Sequence, residues 1–181
     1  MKIDDPRAAP QQAFRLFRPE NPAAALGMAV NFLMAKPAFA KLRFGDWSRI
    51  LAGQVNRGHY VFVLDKTGKP CGFAGWALTS VEKAEAWVEG RAPLSYQDSL
   101  AGECVVFNAW SAETKDAHRY MVDVTRTNML EKKTLYFKRH YADGTVRPVR
   151  LPVNQFVSGH VSSKSGATCL RLRASAGLAT T

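Results

Sequence analysis

The sequence predicts a mixed α/β or α+β domain, in which one mainly antiparallel sheet carries packed helices. Three observations predict it. Helix-like stretches at 21–35, 45–58 and 112–128 are separated and followed by strand-like runs at 59–64, 71–78, 103–110 and 134–151. Turn-forming residues join two pairs of those runs as hairpins. No glycine-rich loop follows any run, so neither a P-loop nor a dinucleotide fingerprint is present.

The elements follow in order. Residues 1–20 read as an N-terminal arm, 21–157 as a single domain and 158–181 as a flexible tail. In NPAAALGMAVNFLMA (21–35), Asn21 is the expected N-cap and Pro22 the first helical residue. This helix is apolar almost all round, so it should be buried or covered. GDWSRILAGQVNRG (45–58) should be capped by Asp46, present Trp47, Ile50, Leu51 and Val55 on one face, and end at Gly58. HYVFVL and CGFAGWAL flank DKTGKP, a hairpin. Thr79 and Glu82 have capping-box spacing ahead of a helix that Gly90 closes. RAPLSYQDSLAG (91–102) reads as a loop and ECVVFNAW (103–110) as a buried strand. The next helix gathers Ala117, Tyr120, Met121, Val124 and Asn128 on one face. TLYFKRHY and TVRPVRL flank the Asp143-Gly144 turn, and Pro148 marks the second as an edge strand. CLRLR (169–173) alternates like a short strand within the tail.

Composition narrows the function classes. The chain of 181 residues carries a net charge of +10. Residues 1–114 hold 13 Lys/Arg against 11 Asp/Glu, whereas residues 115–181 hold 12 against 4. A basic half attracts acidic partners: nucleic acid, anionic lipid or an acidic carrier protein. Cys71, Cys104 and Cys169 are widely spaced, with no CxxC or Cys/His cluster, so no disulfide framework and no metal site is expected. MKIDDPRAAPQQ lacks the make-up of a signal peptide, and the longest apolar run, 23–35, is too short to span a bilayer. A cytoplasmic location is the expectation.

An ordered set of residues resembles a known family. Leu26-Gly27 opens the first helix and Pro37 follows at the family's distance; GHY (58–60) enters the first strand; GWALTSVE spans 75–82. Leu94, Asp98, Gly102, Phe107, Trp110, Ala112 and Asp116 then follow in register. Over about 26–120, and more loosely to 151, the chain resembles the RTX toxin-activating lysine acyltransferases, the hemolysin-activating proteins. The resemblance implies a fold related to the GNAT acetyltransferases and a cytoplasmic location. It implies an acyl-acyl carrier protein donor with no bound cofactor, and a lysine acceptor in a protein such as an RTX toxin. A homodimer is a further expectation.

The chain departs from that family at its catalytic pair. The position of the family's histidine, two residues after the helix-ending proline, is held by Phe39, and the position of its aspartate by Ala109. KPAF (36–39) therefore marks a site whose usual base is absent. Among the remaining residues, Asn108 and His59 are the catalytic candidates. On a regular strand Asn108 would face away from Ala109, beside Val106 and Trp110, and only a β-bulge would bring it round. An amide orients or stabilises an oxyanion but is no base. His118, His140 and His160 have weaker claims. Phe39, Trp76, Phe107 and Trp110 are the candidate acyl-pocket wall. Cys71 and Cys104 are nucleophiles by type, but lone strand cysteines are usually inert core.

Lys132, Lys133, Lys138, Arg139, Arg147 and Arg150 form the candidate face for a carrier protein. Two alternatives stay open: a catalytically inactive homologue that binds a carrier or partner, and a basic domain for nucleic acid or an anionic surface. No stacking-aromatic motif accompanies the basic residues, so nucleic acid is the weaker of these.

Overall fold

The computed structural model of the chain describes residues 13–141 and 143–153. The tail at 158–181 with its CLRLR segment, Cys169 and His160, and residues 1–12 of the arm lie outside them. Six strands form one sheet in sequence order: β1 (Phe14–Phe17), β2 (Tyr60–Asp65), β3 (Pro70–Thr79), β4 (Cys104–Ala112), β5 (Thr134–His140) and β6 (Val146–Pro152). Every pairing is antiparallel except β4 with β5. The helices are α1 (Pro22–Met34), α2 (Pro37–Ala40), α3 (Phe44–Arg57), α4 (Val81–Val88) and α5 (Lys115–Asn128). This is the mixed, mainly antiparallel, GNAT-like sheet with packed helices that the sequence implies.

The sheet is covered on both faces. Phe62 and Phe73 turn to α1 and α3, where Ala25, Ala29, Leu33, Trp47 and Leu51 close one cluster. On the same face, Ala77, Val106 and Tyr136 meet Ala84 and Val88 of α4. The opposite face holds Val63, Ala74, Ala117 and Met121 under α5, and Trp76, Val105, Phe107 and Met129 beside it. Alternation along the strands produces this division. The α5 crossover is what allows β4 and β5 to run parallel.

Local chemistry sets the boundaries. Asn21 Oδ1 accepts from the N–H groups of Ala23 and Ala24, with Pro22 at the first turn, as expected. Gly58 ends α3 at φ 69° and Gly90 follows α4 at φ 78°, positions that suit glycine. Arg150 pairs with Glu85 and Glu89, and Tyr136 donates to Glu85, so one polar network ties the edge strand β6 to α4.

Several details correct the sequence reading. Residues 14–17, inside the expected arm, form β1, because their backbone pairs with β2. Asp46 sits within the first turn of α3, and Arg43 occupies the cap. Thr79 is the last residue of β3, and Ser80 caps α4 by accepting from the Lys83 N–H. On α3, Ile50 is 41% exposed and Gln54 is buried in its place. Only one side of α1 is buried, and Met34 at its end is 56% exposed.

One turn is under steric control. Gly102 lies at φ 153°, and a Cβ there would overlap the backbone carbonyl of Thr79. Gly102→Ala should therefore lower stability by about 1–3 kcal/mol, read as a reduced denaturant midpoint with an unchanged m-value.

Candidate functional site

β4 and β5 run side by side only from Cys104 to Phe107 and from Thr134 to Phe137. Beyond that, β4 continues to Ala112 against β3 alone, and β5 to His140 against β6 alone. The two parallel strands thus part company in the middle of the sheet. At the point of parting β4 carries an extra residue: Ala109 faces Gly75 and Phe107 faces Trp76, leaving Asn108 as a β-bulge.

The bulge resets the alternation of β4. Phe107 lies in the cluster beside α5, whereas Ala109 lies in the α1/α3 cluster and Trp110 returns to the α5 side. Asn108 turns to α3, where its Oδ1 accepts from Gln54 Nε2. Asn108 and Ala109 therefore share one face, against the expectation for a regular strand. Gly75 makes the approach possible, because a Cβ there would overlap the Gln54 amide. Gln54 is fully buried, and its Oε1 has no hydrogen-bond partner. Sequence reading missed this residue. Its signal was a polar side chain at position 54 of a helix whose apolar face runs through Trp47, Leu51 and Val55.

Phe39 and Ala109 both belong to the α1/α3 cluster. The Phe39 ring meets Trp47 edge-on at 5.8 Å, and both Phe39 and Ala109 are buried. Neither can take or orient a proton. The other three candidate acyl-pocket residues form a separate ladder on the opposite face: Trp76–Phe107 at 6.3 Å and Phe107–Trp110 at 5.3 Å. The structure therefore splits that set, with Phe39 apart from Trp76, Phe107 and Trp110. Trp110 reaches an open cleft of about 560 Å³ at the start of α5 and donates from Nε1 to His118 Nδ1 at 3.2 Å.

His59 makes no hydrogen bond to Asn108. Its backbone is fixed on both sides: its N–H donates to the Gln54 carbonyl at 2.9 Å, and its carbonyl accepts from the Trp76 N–H at 3.0 Å. The ring stacks on Trp76, 6.1 Å between centroids and 11° from parallel. Its Nδ1 is buried without a partner. Burial lowers the imidazole pKa to about 4, helped by the charges of Arg57, Arg18 and Lys132 and only partly opposed by the Ser99 backbone. At neutral pH this is an uncharged ring and a feeble base. Cys71 and Cys104 are buried strand thiols whose pKa values burial raises, so neither offers a ready thiolate.

The six expected face residues divide by their partners. Arg150 is engaged with Glu85 and Glu89, Lys133 with Glu103, and Lys132 Nζ donates to the Gly102 carbonyl at 3.0 Å. Lys138 lies over the Trp87 ring at 4.7 Å, on the α4 side. Arg139 and Arg147 are cross-strand neighbours, and both lie 5.3 Å from the Tyr141 ring. Three of the six charges are thus tied into the fold, and Lys138, Arg139 and Arg147 rest on aromatic rings at the β5–β6 hairpin. Among the described residues no group of His, Cys, Asp and Glu is arranged to hold a metal, and no helix is long and apolar enough to cross a membrane.

A model of the RTX toxin acyltransferase family matches residues 18–151. No curated protein matches the chain.

The buried His59 makes stability depend on pH. Between pH 6.5 and 4 the unfolded chain binds a proton at this residue that the folded chain does not, so stability falls as pH falls through that window. Wild type should lose melting temperature from pH 6.5 to 4 more steeply than His59→Gln. Parallel pH curves for the two proteins would contradict the assignment.

Proposed function

The chain belongs to the RTX toxin acyltransferase family over most of its length, and from that premise we propose that it transfers a fatty acyl chain from acyl carrier protein to a lysine of a protein substrate, in the cytoplasm. In this reading the lysine nitrogen attacks the thioester carbonyl carbon. The C–S bond breaks, the carrier thiolate leaves and takes up a proton, and the nitrogen loses its proton to solvent. The products are an amide and the free carrier thiol.

The observation that carries the reading is the bulge. It aims the amides of Asn108 and Gln54 at one another where β4 and β5 separate. With its Oδ1 held by Gln54, the Asn108 amide can donate from Nδ2 to the oxyanion of the tetrahedral intermediate or to the donor's amide carbonyls. Catalysis then rests on proximity and polarisation, without a general base. A second reading has its own observation. Phe39 and Ala109 are sealed in an apolar cluster, which suits a homologue that binds acyl carrier protein and performs no transfer.

Discharge of a defined acyl-acyl carrier protein in the presence of an acceptor lysine peptide separates the two. With no base in the site, the rate of transfer should rise about tenfold per pH unit from pH 7 to 9, following the free amine of a lysine with pKa about 10.4. A plateau near neutrality would mean that a residue of the protein takes the proton. A stable complex with the acyl chain still on the carrier would establish the binding module.

Restoring the missing pair is the complementary measurement. Phe39→His with Ala109→Asp should accelerate discharge by roughly 10²-fold or more. If the doubly substituted protein is folded and binds the carrier yet gains nothing, the α1/α3 face is not where the thioester sits.

A further inference from the structure

Three cations act on His59, and among the described residues none of them is paired with a carboxylate. Arg18 donates from Nε to the Tyr60 carbonyl at 2.9 Å and lies over the Tyr60 ring at 5.3 Å, but its buried Nη2 has no partner. Arg57 lies back over Gly53, where a Cβ would come within 2.9 Å of its Nη1, and its guanidinium rests 5.3 Å from the Tyr96 ring. Its buried Nε is also unpaired. Lys132, from the loop after α5, holds the Gly102 carbonyl, in the same segment between α4 and β4 that carries Tyr96. All three charges act on the His59 ring.

This arrangement is unusual for a folded chain. Half-buried guanidinium groups normally meet a carboxylate, because an unpaired charge away from water is costly. Other cations of this protein do meet carboxylates: Lys36 meets Glu113, Lys133 meets Glu103, and Arg150 meets Glu85 and Glu89. At Arg18 and Arg57 burial lowers the pKa of each guanidinium, so the fold bears a cost there with no internal counter-ion. A ligand that supplies the anion would recover it. Two arginine forks and a lysine together suit a tetrahedral oxyanion with several acceptor oxygens better than a flat carboxylate. The neutral His59 ring adds no competing charge.

We propose that Arg18, Arg57 and Lys132 form a binding site for a phosphate ester beside His59, and that during acyl transfer it holds the phosphodiester of the carrier protein's prosthetic arm. The source of the phosphate rests on the acyl-carrier reading above, whereas the site itself does not. Arg18, Arg57 and Lys132 come from different parts of the chain: the segment after β1, the end of α3 and the loop before β5. Folding alone brings them together, and none belongs to the β5–β6 hairpin.

The test uses the full chain and two probes. Inorganic phosphate should raise the melting temperature of wild type beyond chloride or acetate at equal ionic strength, and the gain should vanish in Arg57→Gln and in Lys132→Gln. Without phosphate, Arg57→Gln should melt no lower than wild type, since it removes an uncompensated charge; a purely structural arginine would give a loss. Carrier protein bearing its prosthetic arm should bind at least tenfold more tightly than carrier lacking it, and the two variants should erase that difference. Phosphate acting no better than chloride, or acting equally on wild type and both variants, overturns the site. A phosphate effect with equal binding of both carrier forms supports the site and overturns the arm as its source. Failure of either carrier to bind removes the donor reading, while the phosphate titration still decides the site.

Discussion

An extra residue in β4 decides which side chains can meet in this fold. Without the bulge at Asn108, Ala109 would face α5 and Trp110 would be driven against α1 and α3. With it, Trp110 joins Phe107 and Trp76 on one face, and Asn108 and Ala109 turn together to the other. The bulge also lies where β4 leaves β5, so a local change of register coincides with the opening between the two parallel strands. Gly75 and Gln54 belong to the same constraint. A glycine on β3 leaves room for one buried amide from α3, and that amide engages the bulged residue. A larger residue at 75 would force Gln54 out and leave the Asn108 side chain without its partner.

Charge is handled in two ways on this molecule. At the β6 edge, Arg150 is neutralised by two glutamates of α4, which fastens the last strand and spends the charge on structure. At the junction of α3 and β2, Arg18 and Arg57 keep unpaired N–H groups and press the His59 ring toward its neutral form. The net positive charge of the second half of the chain therefore says little about where an anion binds. Lys132, Lys133 and Arg150 of that half are committed to a carbonyl and to glutamates, while the buried unpaired donors, on Arg18 and Arg57, come from the nearly neutral first half.

The sequence made the sheet, its mixed character, the two hairpins and the edge position of Pro148 legible, because each depends on local pattern: alternation, turn residues and a proline that cannot donate. β1 was not legible, since four residues of no strong periodicity become a strand only when β2 offers a backbone to pair with. The site was legible in part. It is the family resemblance that puts Phe39 and Ala109 where an imidazole and a carboxylate are expected, and the need for a bulge at Asn108 follows from strand geometry. Whether the bulge exists depends on pairing with β3, which no local pattern encodes. Arg18 and Arg57 carried no signal at all; an arginine at the end of a helix reads as a favourable dipole partner, and only tertiary packing reveals that it lacks an anion.

Phe39 and Ala109, at the positions the resemblance gives to the family's catalytic pair, are physically coherent with one another. Phe39 and Ala109 lie in one apolar cluster with Phe62, Phe73 and Leu33. A carboxylate at 109 inside that apolar cluster would be a buried charge without a partner, which is strongly destabilising. An imidazole at 39 without a carboxylate would lose what fixes its tautomer and orientation. Either polar residue alone would add cost and supply little chemistry, so the cluster is stable with both or with neither. This chain has neither, and its polar groups at the separation of β4 and β5 are the uncharged amides of Gln54 and Asn108, which burial penalises far less than an ion. On the transfer reading proposed above, amides of that kind polarise a thioester at any pH near neutrality and leave the amine's proton to water.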